Sequence, residues 1–223
     1  MLTRLLNLRL IRGRTVDPAY RFLFEPAPAN EAVAIDCETT GLDRRKDDIV
    51  SIAAIRLRGD RILTSERFVA TIRPSAQMKP SAIRVHLLRE ADVQSGRAMS
   101  EVLPELLRFI GSRPLVGYYL EFDVAMLNRH LRPLLRIKLP NRQIETSELY
   151  YDRKYGDAPP GTQLDLSFAI MMRDLKIPII GQHDAYSDAL MSAIAFVKLR
   201  DLKARGVRIP RQRPGATAAV GEA

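Results

Sequence analysis

Residues 32–37, AVAIDC, form an apolar run broken only by its acid. Apolar side chains fall on both sides of the two-residue strand period, so the segment needs cover on both faces and belongs inside a sheet. The next stretch, DDIVSIAAIRLRGDRILTSERFVATIRP, reads as two further strands. They are separated at Arg58-Gly59-Asp60-Arg61, where Gly-Asp supplies hairpin chemistry. Three strands therefore precede the first long helix. Ser100 is placed to cap SEVLPELLRFI, with Pro104 near the first turn and Gly111 as the stop. PLVGYY reads as a fourth strand. EFDVAMLNRHLRPLL follows as a helix with Phe122, Met126, Leu127, Leu131 and Leu134 at helical spacing. LDLSFAIMMRDL and AYSDALMSAIAFVKL read as two more helices. Strands first, then strand and helix in alternation, imply an α/β domain with a mixed sheet covered by helices.

Composition agrees with a packed core. Of the 223 residues, 46% are hydrophobic and 27% charged, which excludes a collagen-like, low-complexity or wholly disordered chain. No apolar run approaches the roughly 18–20 residues of a spanning helix, so an integral membrane protein is not expected. Cys37 is the single cysteine, which leaves no internal disulfide and no Cys/His zinc site. A reducing compartment, the cytoplasm, is the expected location.

The net charge of +9 is unevenly placed. Residues 1–30 carry Arg4, Arg9, Arg12, Arg14 and Arg21 against Asp17 and Glu25. Residues 200–223 carry Arg200, Lys203, Arg205, Arg208, Arg211 and Arg213 against Asp201 and Glu222. Most of the excess thus lies in two basic ends flanking a nearly balanced domain at 31–199, and bulk charge alone is a poor argument for nucleic-acid binding. Arg4, Arg9 and Arg12 interrupt the first apolar run and no small-residue cleavage site follows, so the N-terminus reads as a retained extension. Leu2, Leu5, Leu6 and Ile11 can share one side of a short helix there. PRQRPGATAAVGEA reads as a mobile tail.

The chemistry sits in three places. Side chains alternate along a strand, so Asp36 and Glu38 point one way while Ile35 and Cys37 point the other. Two carboxylates this close repel, a cost that a divalent cation relieves. Thr39-Thr40-Gly41-Leu42 then supplies hydroxyls, a flexible turn and an apolar knob. Asp123 falls in the first turn of the helix after the fourth strand, where an acid also complements the helix dipole. Asp184 is a good N-cap, which leaves His183 in the loop outside and Asp188 in the first turn, so His183 can fold back beside Asp188. His86 and His130 lack such a setting and read as ordinary surface or core residues.

IDCETTGL at 35–42, LVGYYLEFDVAMLNRHL at 115–131 and HDAYSDALMSA at 183–193 resemble, in order, the three motifs of the DEDDh 3′-to-5′ exonucleases. That family includes the epsilon proofreading subunits of bacterial DNA polymerase III, RNase T and oligoribonuclease. The resemblance implies a ribonuclease H-like mixed sheet with its first three strands antiparallel. It implies that Asp36, Glu38, Asp123 and Asp188 bind two divalent cations, Mg²⁺ or Mn²⁺, and that His183 is the general base. It implies that the backbone around Thr39, Thr40 and Gly41 holds a terminal nucleotide, with Leu42 wedged against its base, and that nucleoside 5′-monophosphates are released. The expected partners are single-stranded nucleic-acid 3′ ends, together with a polymerase or other protein docked through the basic termini. Tyr118-Tyr119-Leu120-Glu121 departs from the polar pair that often precedes the second motif's Phe-Asp.

Physically, four carboxylates contribute about −4 and two divalent ions about +4, which turns a site that repels phosphate into one that binds it. An imidazole, with an ordinary pKa near ~6.5, can accept a proton from water at neutral pH. The competing reading is a non-catalytic nucleic-acid-binding or polymerase-docking module on the same fold.

Overall fold

A computed structural model describes residues 17–181 and 183–211. β1 (Glu31–Thr39), β2 (Ile49–Arg58) and β3 (Arg61–Thr71) are consecutive antiparallel strands. The turn between β2 and β3 is the two residues Gly59-Asp60, and Gly59 takes a φ of 60° that a side chain would resist. β4 (Leu115–Gly117) and β5 (Gln143–Glu145) add in parallel beyond β1. The order β3-β2-β1-β4-β5 makes β1 the centre of the sheet, as its apolar run requires. This is the mixed sheet that the strand and helix order predicts, with the three antiparallel strands that the family resemblance implies.

The helices are α1 (Pro80–His86), α2 (Glu90–Gln94), α3 (Met99–Ile110), α4 (Leu120–Leu135), α5 (Thr146–Lys154), α6 (Phe168–Asp174) and α7 (Ala185–Ala204). Strand alternation decides what each covers. Val33, Ile35 and Cys37 face a core built with Val102 and Leu106 of α3 and Met126 and Leu127 of α4. Ala32 and Ala34 face the other way, against Ala193 and Phe196 of α7, while Ala53 of β2 meets Ala185 and Ala189. Alanine against alanine lets α7 lie close on the sheet. That close seat matters, because Asp36 and Glu38 continue the alanine face of β1.

Two helix starts differ from the sequence expectation. α3 begins at Met99 with Ala98 as its cap and no side-chain bond, so Ser100 lies inside the first turn, while Gly111 closes the helix as expected. α6 begins at Phe168, not at Leu164. Asp165 Oδ1 accepts the Ser167 N–H at 2.9 Å and its hydroxyl at 2.6 Å, a local turn that competes with helix.

Packing continues past the central domain limits. Tyr20 and Leu23, in a 3₁₀ segment over Pro18–Phe24, join the α3–α4 core, and Ile209 packs with Tyr150 and Tyr155 of the second core. The apolar stripe of Leu2, Leu5, Leu6 and Ile11, and the tail beyond residue 211, lie outside the described residues. Among the described residues no helix is long and apolar enough to cross a membrane.

Candidate active site

β1 delivers two acids, Asp36 opposite Ala53 and Glu38 opposite Ser51 of β2. The close seat of α7 brings its first turn over them. One candidate ligand atom from each of Asp36, Glu38 and Asp188 lies within 4.8 Å of the others. The start of α7 is fixed by Asp184, whose Oδ2 accepts the Ser187 N–H at 3.0 Å and the Ser187 hydroxyl at 2.9 Å. Just before it, His183 has a left-handed φ of 64° and donates its backbone N–H to Asp188 Oδ2 at 3.1 Å. The loop therefore folds His183 back on Asp188, with the imidazole exposed. Asp188 Oδ1 is buried without a hydrogen-bond partner among the described residues.

Asp123 enters from the first turn of α4 and is only 4% exposed. It is not one of the three converging acids. It sits close by, accepting a hydrogen bond from the Cys37 backbone and feeling the charges of Asp36 and Glu38. The four acids share one electrostatic condition. Burial first, then the neighbouring carboxylates, pushes Asp36 and Asp123 well above the usual carboxylate range. Burial with Asp188 and Asp184 pushes Glu38 up to about 7. Asp188 is raised by burial, against the pull of the His183 N–H. No lysine or arginine pairs with any of the four among the described residues. Half-buried, mutually repelling carboxylates with an orphaned oxygen fit a hard divalent cation, which takes oxygen ligands and supplies the missing charge.

Beside the acids, the turn at residues 39–42 is held from behind. Thr39 Oγ1 donates to the Gly41 carbonyl at 2.7 Å. Thr40, wholly buried, donates its hydroxyl to Asp47 Oδ1 at 3.3 Å and accepts the Asp48 N–H at 2.9 Å. Asp47 Oδ2 also accepts from the Asp43 N–H at 2.7 Å and from Lys79 Nζ at 2.6 Å. Glycine is required at 41, since a Cβ there would stand 2.5 Å from Asp47 Oδ2. Both threonine hydroxyls are therefore spent inside the turn. The N–H groups of Gly41 and Leu42 have no acceptor among the described residues, and Leu42 projects with 83% exposure.

Several of these supports carry no sequence motif. Asp47 and Asp48 look like solvated acids in the run DRRKDD, although their position flush against the apolar IVSIAAI was a usable signal. His86 is buried: Nδ1 accepts the Leu88 N–H at 3.1 Å, so Nε2 carries the proton and donates to the Thr39 carbonyl at 3.2 Å. Burial, with the nearby His183, holds its pKa below the usual imidazole value. His130 is half-buried, on the α4 helix.

The Tyr118-Tyr119 departure acts on the start of α4. Tyr119 caps it in a left-handed conformation and is exposed. Tyr118 stacks on Phe168 at 4.9 Å and donates its hydroxyl to the Leu166 carbonyl at 3.2 Å. Glu145 accepts the Leu120 N–H at 2.9 Å. None of these contacts displaces an acid.

Residues 33–196 match the exonuclease family of RNase T type. The DNA polymerase III subunit epsilon of Aquifex aeolicus is 28% identical over 167 residues, 75% of this chain and 79% of that protein. A DNA polymerase III subunit epsilon-like protein of Rhodobacter capsulatus is 33% identical over 178 residues, 78% of this chain but 24% of that longer protein. Among solved structures, Escherichia coli exonuclease I in complex with a dT13 oligonucleotide superposes with a TM-score of 0.64 at 17% identity, over 79% of this chain and 41% of that one. The likeness to exonuclease I confirms the ribonuclease H-like sheet.

Proposed function

The chain belongs to the exonuclease family, a 3′-to-5′ exonuclease by class, and from that premise we propose that it hydrolyses the terminal phosphodiester bond at single-stranded 3′ ends of DNA or RNA, releasing nucleoside 5′-monophosphates by a two-metal mechanism. The observation that carries this reading is the convergence of Asp36, Glu38 and Asp188 with buried Asp123 alongside, none of them in an ion pair with a lysine or arginine among the described residues. Asp36, Glu38, Asp123 and Asp188 would hold two Mg²⁺ or Mn²⁺ ions. When bound, such ions lower the pKa of an attacking water and stabilise the charge on the leaving 3′ oxygen.

The chain's own groups do the rest. His183, on an exposed loop tied to Asp188, accepts the proton of the attacking water at its imidazole. The N–H groups of Gly41 and Leu42, without an acceptor among the described residues, are the turn's donors for the terminal nucleotide, with Thr39 and Thr40 fixing the backbone that carries them. Leu42 supplies an apolar edge for the last base. His86 steadies the Thr39 carbonyl from inside.

We assign the activity to residues 31–199. We place the chain in the cytoplasm, a reading supported by its one buried free thiol. The basic ends, 1–30 and 200–223, are the proposed docking elements for a polymerase or other protein, a reading supported by the epsilon name of the Aquifex relative.

The test is digestion of 3′-labelled single-stranded DNA, duplex DNA and short RNA with Mg²⁺, Mn²⁺ or a chelator. Release of labelled mononucleotide that stops with chelator and with a blocked 3′ end is expected. Cutting of circular single-stranded DNA, or no hydrolysis under any metal, would overturn the proposal.

A further inference from the structure

An open groove of about 800 Å³ lies along the outer face of α4, between that helix and the loop after the 39–42 turn. Its charged lining is Arg44, Arg45, Arg129, Arg132 and Lys138 against Glu121. Two of the five cations are engaged: Arg44 pairs with Glu121 at 2.9 Å, and Arg129 pairs with buried Asp48. The side chains of Arg45, Arg132 and Lys138 are exposed and have no ion pair among the described residues. The floor is fixed rather than fluid, since Asn128 Oδ1 accepts the Leu139 N–H at 2.7 Å and ties the end of the groove to α4.

Position gives the charge a meaning. The groove begins at the first turn of α4, the turn that carries Asp123, and at Arg44, two residues beyond Leu42. It then follows the helix to Arg132, about 16 Å farther at 1.5 Å per residue. A strand whose last nucleotide sits at the 39–42 turn must carry its remaining phosphates out of the site, each with a negative charge. The acids at the site cannot attract those phosphates, and a row of uncompensated cations next door can.

We infer that this groove is a binding track for the phosphodiester backbone upstream of the 3′ end, read by charge and not by base. The inference rests on the exonuclease reading of the acid cluster. Arg45, Arg132 and Lys138 hold successive phosphates, while Arg44 and Arg129 keep the loop and helix walls in place through their acids. Such a track favours substrates long enough to reach it, without sequence preference.

The experiment compares two triple variants of the full chain. Arg45→Gln/Arg132→Gln/Lys138→Gln empties the track. Arg61→Gln/Arg108→Gln/Lys203→Gln removes the same number of charges from exposed positions outside the groove lining. Binding of a fluorescent 20-mer, as DNA and as RNA, is followed by anisotropy across a salt series with Ca²⁺ present, and thermal melts confirm folding. The track variant should bind about 10-fold or more weakly near 0.1 M salt, and its log K against log salt slope should flatten by about 2, at roughly 0.7 per lost single-strand contact. The control variant should change far less. Equal losses in both variants, or an unchanged slope in the track variant, would overturn the inference. Loss with only one of the two strands would restrict the track to that backbone and still support it. Turnover of a dinucleotide by the unaltered protein tests the exonuclease reading by itself, so a failure there is distinguishable from a failure of the track.

Discussion

Two groups of buried and half-buried acids lie close together in this molecule and are built in opposite ways. Asp47 and Asp48 are surrounded by complements. Asp47 accepts from Thr40, the Asp43 N–H and Lys79. Asp48 accepts from the N–H groups of Ser75 and Ala76, the Ser75 hydroxyl and Arg129. Although burial opposes it, Lys79 and these donors hold the Asp47 carboxyl below the usual carboxylate range. Half-buried Asp36, Glu38 and Asp188 and buried Asp123 have one another for neighbours instead, and every one is pushed up. A buried acid with its complement is structure. A group of acids without one stores a repulsion that an outside cation relieves.

Neutralising an acid should therefore have opposite consequences in the two groups. Asp36→Asn, Glu38→Gln, Asp123→Asn and Asp188→Asn are each expected to remove nearly all nuclease turnover, because each takes a charged oxygen donor from the proposed metal site. The same four should raise the melting temperature of the metal-free protein, since repulsion is relieved. Near-parental turnover in any folded variant would remove that residue from the site, and a lowered metal-free melting temperature would undo the contrast.

His183 belongs to the first group by position but not by charge. His183→Ala should lower kcat by roughly 10²- to 10⁴-fold, the usual range for a general base, with a smaller change in KM and almost none in melting temperature, as the side chain is exposed. Single-turnover rates across pH would check this. A variant that keeps the parental rate and pH profile would leave the base unassigned.

How much of this was legible in the sequence follows from the range of each interaction. Asp36 and Glu38 on one face, the Gly59-Asp60 turn and the Asp184 cap are patterns within a few residues, and all are found as read. The convergence of α7 on β1 was legible only through family resemblance, because alanines at 32, 34, 189 and 193 do not announce which helix will meet which strand. The abutting apolar run hints that Asp48 is buried, but its pairing is not legible by pattern, as its partner Arg129 is 81 positions away. β5 spans three residues, one exposed and two half-buried, so no hydrophobic period marks it. Ser100 failed as a cap for a smaller reason. Met99 is buried and worth seating in the helix, which moves the start one residue earlier than the best capping side chain.

The second group is expected to break more gently. Asp47→Ala leaves the Thr40 hydroxyl and the Asp43 N–H without their acceptor, a cost of about 1–3 kcal/mol for a buried unsatisfied group. At about 2–4 °C per kcal/mol for a chain of this size, the melting temperature should fall by several degrees. The turn it supports carries the proposed nucleotide contacts, so KM should rise more than kcat falls. Asp47→Asn keeps the shape and one acceptor oxygen and should recover part of the loss. If Asp47→Ala lowers kcat as far as Asp188→Asn does, the two groups are not separate in function.

The smallest effect concerns pH. In the fold Glu38 keeps its proton up to about 7, against an ordinary value of 4.5. Between those values the folded, metal-free chain binds more protons than the unfolded chain, so its stability falls as pH rises through this window and levels off above it. Asp36, Asp123 and Asp188 shift in the same direction and add to the trend. Asp47 runs the other way, because its lowered pKa gives stability that is lost only on acidification below the ordinary carboxylate range. Melting scans of chelator-treated protein from pH 5 to 8 should therefore drop by a few degrees toward pH 8. Metal reverses the sign of the advantage, since it binds the deprotonated acids. A concentration 100 times its dissociation constant stabilises by about 2.7 kcal/mol, and because protons compete for the same oxygens, the gain at fixed Mg²⁺ should be larger at pH 8 than at pH 6. Glu38→Gln should flatten both dependences, whereas Asp47→Asn should leave them standing. A metal-free protein that gains stability from pH 5 to 8, or a Mg²⁺ shift that grows on acidification, would mean that the raised acids are not where the cation acts.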